Sequence, residues 1–413
     1  MITVLGTKPS FGFGDRLGLA TLGHCRALRE FGGSIEGIFA QQSIREMNRT
    51  KRTPAEVMHD SEQALLRLGF DRPRGADADH LKTPADVDYV FEAGFTFFTI
   101  DPSDFVNDAA DDCSVEEVLA QFDGLDDKPS WIDKYKEQKV TLDTEWDLEF
   151  DEVGLKRCAL KYGKAIKHAI AIGEYIVAKA ESSGRPIEIE MSIDETARPT
   201  TEIEHFVFAD QLIEAGLPLV SLAPRFVGNF EKGIDFFGDR EGFEKTLRQH
   251  AAIARQLGGY KLSLHSGSDK LSIYDVFARE TRGLFHVKTA GTSYLEALHV
   301  IAATDEPFFR RLVDFSRSRF EDDRATYHLS NGLTDARPTE ECSSGEELLD
   351  EYIRKDAGRQ ILHVTFGSVV NHADLGVGLR FRIVNHSRLY EEYLVEHFRK
   401  HLEPLTSGLA SLS

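Results

Sequence analysis

The stretch Pro186–Asp194, PIEIEMSID, alternates apolar and polar positions with a period of two. Ile187, Ile189, Met191 and Ile193 form an oily set, and Glu188, Glu190, Ser192 and Asp194 form the opposite face. That period predicts a strand with one face turned to apolar neighbours. Further strand-like segments are predicted at Ile2–Gly6, Ser34–Gln41, Ala76–Lys82, Phe95–Asp101, Leu217–Ala223 and Leu284–Lys288, and at the start of Tyr260–Lys270 (YKLSLHSGSDK). Helical patterns fall between them, at Leu19–Phe31, Thr53–Leu68, Thr83–Ala93, Leu155–Ser182, Glu202–Ala215, Gly242–Leu257 and Tyr294–Ala303. Two of these open with TPAE and TPAD, the signature of a capping box.

Eight strands alternating with helices predict an α/β protein with a (β/α)8 TIM-like barrel; the competing architecture is an open doubly wound sheet. The barrel is expected over residues 1–305. An acidic insertion with Trp131 and Trp146 interrupts it at about 104–155, and a mostly helical extension, 306–413, packs on it. Within the extension Gln360–Phe366 (QILHVTF) reads as one more strand.

Barrel strands place alternate residues inside and chemistry at their C-terminal ends. In the seventh strand Leu262 and Leu264 alternate with Lys261, Ser263 and His265. In the eighth, His286 and Lys288 share the polar face. His80 and Lys82 share a face near the end of the third, and Asp101 ends the fourth. Glu188 is expected near the barrel bottom, beside a lysine. Several carboxylates in one barrel interior cannot all ionise without a metal or basic groups to neutralise them. Carboxylates with imidazoles suit a divalent cation such as Zn, Mn, Co or Ni. Each of these histidines has an equally simple reading as a satisfied core residue.

Lys8, Arg16, Lys82, Arg225, Lys270 and Lys288 fall at or just after predicted strand ends. They would gather positive charge at one mouth, suited to a carboxylate or phosphate. Over the whole chain of 413 residues the net charge is −20, which argues against nucleic-acid or anionic-membrane partners. Four scattered cysteines without a CxxC pair point to a reducing cytoplasm. The N-terminal sequence has no signal-peptide pattern, and no apolar run reaches the roughly 18–20 residues of a membrane span. A homo-oligomer is compatible with the chain. The SFGFGDRLG stretch is only superficially like a dinucleotide loop, because its third glycine comes one position late. Ser266 and Ser268 lack a nucleophile elbow.

Taken together, FGFGDRLGLAT, MSIDET, LHSGSDKLSIY, FHVKTAGTSYLEAL and LHVTFGS resemble the tagaturonate epimerase family over about residues 5–375. The resemblance implies a metal-dependent barrel enzyme that interconverts D-tagaturonate and D-fructuronate, a small sugar acid, in hexuronate breakdown. Strand phase then assigns Asp194 or Glu195, His265 and His363 to the metal, with His286 as a substitute. Glu190 and Asp269 form the acid/base pair, and Lys288 steadies a developing oxyanion. Arg16, His80, Lys82, Arg225 and Lys270 are the substrate-binding candidates. The alternatives are an epimerase, isomerase or aldolase of neutral sugars, and a sugar-acid binder without turnover.

Overall fold

The computed structural model describes residues 2–143, 146–327 and 329–412. Eight parallel strands close into a barrel. They are β1 (Ser10–Gly14), β2 (Glu36–Ser43), β3 (Arg74–Leu81), β4 (Phe97–Ile100), β7 (Glu188–Ile193), β8 (Leu219–Pro224), β9 (Lys261–Leu264) and β10 (Phe285–Thr289). The two others, β5 (Lys139–Leu142) and β6 (Trp146–Glu149), pair as an antiparallel hairpin inside the insertion. The ring runs β1-β10-β9-β8-β7-β4-β3-β2 and closes through β1 and β2. The (β/α)8 expectation holds.

The helices start where the sequence says they should. Thr53 and Thr83 each cap a helix reciprocally with the acid three residues on, Glu56 and Asp86, and Pro54 and Pro84 occupy the first turn. The insertion carries two 3-10 turns, the helix Val115–Asp123 and the hairpin. It is tied to the barrel layer by Lys161, whose ammonium lies 2.8 Å from Asp111 and 3.2 Å from Glu204. In the C-terminal region the helix Ser387–Ala410 packs against the helices Thr21–Phe31, Tyr274–Glu280 and Thr292–Thr304. Among the described residues no helix is long and apolar enough to cross a membrane.

Two predicted strands are displaced. The first strand is not Ile2–Gly6, of which only Ile2 bridges to Arg74, but the following SFGFG. Its glycines serve close approach: a Cβ on Gly14 would stand 2.4 Å from the carbonyl oxygen of Thr289 on the neighbouring strand. The segment Gln360–Phe366 is helical, lying mostly in Asp356–Val364. Ala357, Ile361 and Val364 recur at helical spacing and are all buried, so tertiary packing overrides the β-branched content.

Candidate active site

The polar face of β10 meets those of β3 and β7 inside the barrel. The buried Lys288 Nζ lies 2.8 Å from Asp77, 2.8 Å from Asp79 and 2.7 Å from Glu190, and donates to Thr99 Oγ1 at 2.6 Å. Three carboxylates around one ammonium hold Lys288 charged well above its ordinary range, against the cost of burial. The carboxylates diverge in turn. Burial pushes Asp77 up to about 7, while His80 and Lys288 hold Asp79 low despite its burial.

His265, just past the end of β9, bridges the same network to the mouth. Its Nε2 lies 2.7 Å from Glu190 Oε1 and its Nδ1 3.2 Å from Asp194 Oδ1. Burial opposes a charge on this ring, but Asp194 and Glu190 outweigh it and raise His265 to about 10. Asp194 falls to about 2, because His265 overcomes its desolvation and Ser192 Oγ donates to it at 2.7 Å. The His80 ring stands nearly perpendicular to that of His265, centroids 5.3 Å apart. Its Nδ1 lies 3.1 Å from Asp101, and Asp79 and Asp101 together raise it to about 9 in spite of burial. His80 adopts φ 56°, a left-handed conformation. That turn breaks the strand alternation and sends His80 toward the mouth while Lys82 goes elsewhere.

Above this floor opens a cavity of about 480 Å³. Arg16, Arg45, Arg225 and Lys232 bring positive charge to its wall. Arg16 is fixed: Nε donates to Glu46 at 2.9 Å, Nη1 to the His363 carbonyl at 3.1 Å, and the guanidinium lies 3.6 Å from the Phe366 ring centre. Gly291 makes room for this, since a Cβ there would sit 2.3 Å from the His363 ring. Arg45 pairs loosely with Glu195 at 3.8 Å. Lys232 has Ser266 Oγ as its neighbour at 3.1 Å, and burial beside Arg45 pulls its pKa down.

Of the residues expected from sequence, the cavity brings together Arg16, His80, Asp194, Glu195, Arg225, His265 and Lys288. Glu190 lies beneath the floor, fully buried, and reaches the cavity only through His265 and Lys288. The other five do not line it. His286 sits one layer lower, its Nδ1 2.9 Å from Ser10 Oγ. His363 lies behind Arg16 on a helix. Lys82 turns outward to Asp104, 2.6 Å away. Lys270 is buried under the carbonyls of Glu231, Ile234 and Ser268, which receive its three N–H donors. Asp269 faces a different cavity. Lys8 precedes β1 at the opposite end of the barrel and pairs with Glu36. Glu188 also lies at that end; its Oε1 accepts the N–H of Leu5 at 2.8 Å, so its partner is backbone, with Lys261 contributing at longer range.

Asp77, Asp79, Thr99, Arg45 and Lys232 were not singled out from sequence. Asp77 and Asp79 had a signal: Ala-Asp-Ala-Asp alternates small and acidic residues, as a barrel strand does when acids point inward. Arg45 and Lys232 come from segments after strand ends, where no periodicity marks direction.

Three groups of side chains among the described residues could hold a metal ion. Two share the cavity: Asp79–His80–His265 and His80–Asp101–Glu195. The first fits a cation in chemistry and position. Its two imidazoles face carboxylates that already draw extra protons onto them, and His265 Nδ1 is buried without an aligned hydrogen bond.

A closed (β/α)8 barrel with titratable groups crowded at the C-terminal ends of its strands is the architecture of a barrel enzyme. The family model described as tagaturonate epimerase, UxaE, matches residues 2–405, and the chain belongs to that family. It is a sugar-acid epimerase, an enzyme of the isomerase class. A relative from Thermotoga maritima named tagaturonate/fructuronate epimerase is 40% identical over 400 residues, covering 97% of this chain and 81% of its own. Native and one-glycerol crystal structures of fructuronate-tagaturonate epimerase UxaE from Cohnella laeviribosi superpose with a TM-score of 0.92 at 36% identity. Each match covers 98% of this chain and 83% of the crystal chain.

Proposed function

We propose that this chain interconverts D-tagaturonate and D-fructuronate by retro-aldol cleavage and re-formation of one carbon–carbon bond, with a divalent cation in the barrel mouth. The observation that carries this reading is the pairing of Lys288 and His265 through Glu190, with Asp79 and Asp194 reaching the cavity beside them.

The chemistry explains why such a set is needed. The inverted carbon carries a hydroxyl and is one carbon too far from the ketone for its hydrogen to be acidified. Removing the hydroxyl proton instead turns that carbon into an aldehyde and breaks its bond to the next carbon. The electron pair moves into the ketone, giving an enediolate. Rotation of the aldehyde, re-formation of the bond and return of the proton invert the centre. No atom or electron is gained or lost, so no redox partner is required.

In this reading Asp194 accepts the hydroxyl proton, being ionised throughout the neutral range. Lys288 faces the negative charge that develops on the ketone oxygen, inside a pocket where such charges interact strongly. Glu190 orients Lys288 and His265 and does not touch the substrate. Asp79, His80 and His265 would hold the cation, which supplies Lewis-acid stabilisation of the enediolate. Its binding replaces the extra protons that the two imidazoles otherwise carry. Arg225 and Lys232 line the cavity without a carboxylate within ion-pair distance among the described residues, and they receive the substrate's carboxylate.

Asp194→Asn and His265→Ala should each lower kcat by ~10²–10⁴-fold while leaving the circular dichroism spectrum intact. Near-normal turnover in both would overturn the site.

A further inference from the structure

The turn that follows β9 faces two ways. Ser266 lines the catalytic cavity, whereas Asp269 lines a second cavity, also of about 480 Å³, which has its own set of walls. Opposite Asp269 stands the helix Ser387–Ala410. Its His397 and His401, four residues apart, share one helix face.

Both rings present Nε2 to the same carboxylate oxygen, Asp269 Oδ1, at 3.3 Å and 3.9 Å. Both rings are also engaged from behind. Glu296 Oε1 lies 3.0 Å from His397 Nδ1, and the His397 carbonyl lies 3.1 Å from His401 Nδ1. With Nδ1 donating to an oxygen, the lone pair is left on Nε2. A carboxylate behind a ligating imidazole is the usual outer support of a metal-bound histidine. Ligands at ~2.0–2.1 Å from a tetrahedral zinc stand roughly 3.3 Å apart, close to the spacings here.

The surroundings favour a cation. Five carboxylates line this cavity against three arginine or lysine side chains. Asp269 Oδ2 is turned to Arg359, 3.3 Å away, while Oδ1 faces the two rings and accepts the Thr292 hydroxyl at 3.3 Å. The His401 ring is fully buried, and the N–H of Asp269 donates to its Nε2 at 3.0 Å. The Thr292 hydroxyl contacts His397 Nε2. These are the two groups that an entering cation displaces.

We propose that Asp269, His397 and His401 form a second divalent-cation site, of the nitrogen- and oxygen-ligated zinc type, outside the catalytic cavity. It braces the turn after β9 from behind. The next residue, Lys270, already ties that turn to the carbonyls of Glu231 and Ile234, on either side of the cavity-lining Lys232.

The test uses the full chain in a His80→Ala background, which removes the histidine shared by both cation groups at the barrel mouth. Metal-stripped protein is loaded with Zn²⁺, desalted, and its metal content measured by mass spectrometry. One zinc per chain is expected in His80→Ala, and none once His397→Gln and His401→Gln are added. Co²⁺ in place of zinc should give visible absorption bands of low-symmetry nitrogen and oxygen coordination, lost in His80→Ala/His401→Gln. If the double glutamine change prevents folding, that milder variant decides. No retained zinc in His80→Ala, or the same zinc content with and without the histidines of the C-terminal helix, would overturn the site. Because His80 is absent from every protein compared, the mouth groups do not enter the count.

Discussion

Glu190 Oε1 stands 2.7 Å from both Lys288 Nζ and His265 Nε2, so one buried carboxylate oxygen holds two cationic groups that line the cavity. The three residues come from β7, β10 and the end of β9. Strand geometry places Glu190 and Lys288, and the first residue of the turn after β9 brings His265 to them, so a change at any one exposes the others to an uncompensated charge.

Lys288→Met should cost ~3–5 kcal/mol of stability, because it leaves Asp77, Asp79 and Glu190 buried without the ammonium they surround. Chemical denaturation of the variant checks this. Asp77→Asn should cost far less, since Asp77 already titrates near 7 and the amide copies its protonated form. Equal losses in the two variants would contradict the assigned charge pattern.

Stability should fall from neutral pH toward alkaline pH. His265 is held charged up to about 10 in the folded chain, against 6.5 for an ordinary histidine. Its raised pKa contributes stability that is complete below about 6.5 and is lost as the pH rises through 10. His80, raised to about 9, acts in the same direction. The thermal midpoint of metal-stripped wild type should therefore drop more steeply over this window than that of His265→Gln. Parallel slopes would count against the ion pairs.

Arg225→Ala and Lys232→Ala should raise KM for the uronate by ~10–100-fold, the loss of one or two charge-assisted hydrogen bonds. Weak turnover of a neutral ketose, measured in parallel, should change little. A loss common to both substrates would place these residues in general packing.

Lys161→Met should destabilise the chain by ~3–5 kcal/mol, since Asp111 of the insertion and Glu204 of a barrel helix would be left buried together. Proteolysis should then cut first within the insertion. An unchanged cleavage pattern would mean that other contacts hold it.

The fold and part of the site were legible in the sequence for identifiable reasons. Period-two alternation places Glu190, His265 and Lys288 on inward faces, and all three meet. The capping boxes at Thr53 and Thr83 locate two helices within a residue or two. Where alternation fails, so does the reading. Glycines make SFGFG look like a turn, although strand packing requires them. The left-handed φ of His80 separates it from Lys82, which no periodicity foretells. His363 and Lys270 look like site residues by type and position, yet one supports Arg16 and the other ties down a loop. Arg45 and Lys232 reach the cavity from outside the strands, where direction is set by tertiary contacts alone.

The most direct measurement is to incubate metal-stripped and Mn-, Co-, Ni- or Zn-loaded protein with D-tagaturonate in D₂O and follow the products by NMR. The expected result is metal-dependent formation of D-fructuronate that carries no deuterium at the inverted carbon, because that carbon keeps its own hydrogen throughout a retro-aldol cycle. Solvent deuterium at that carbon would contradict the bond-cleavage chemistry. Absence of conversion with every metal, in a folded sample, would contradict the substrate assignment itself.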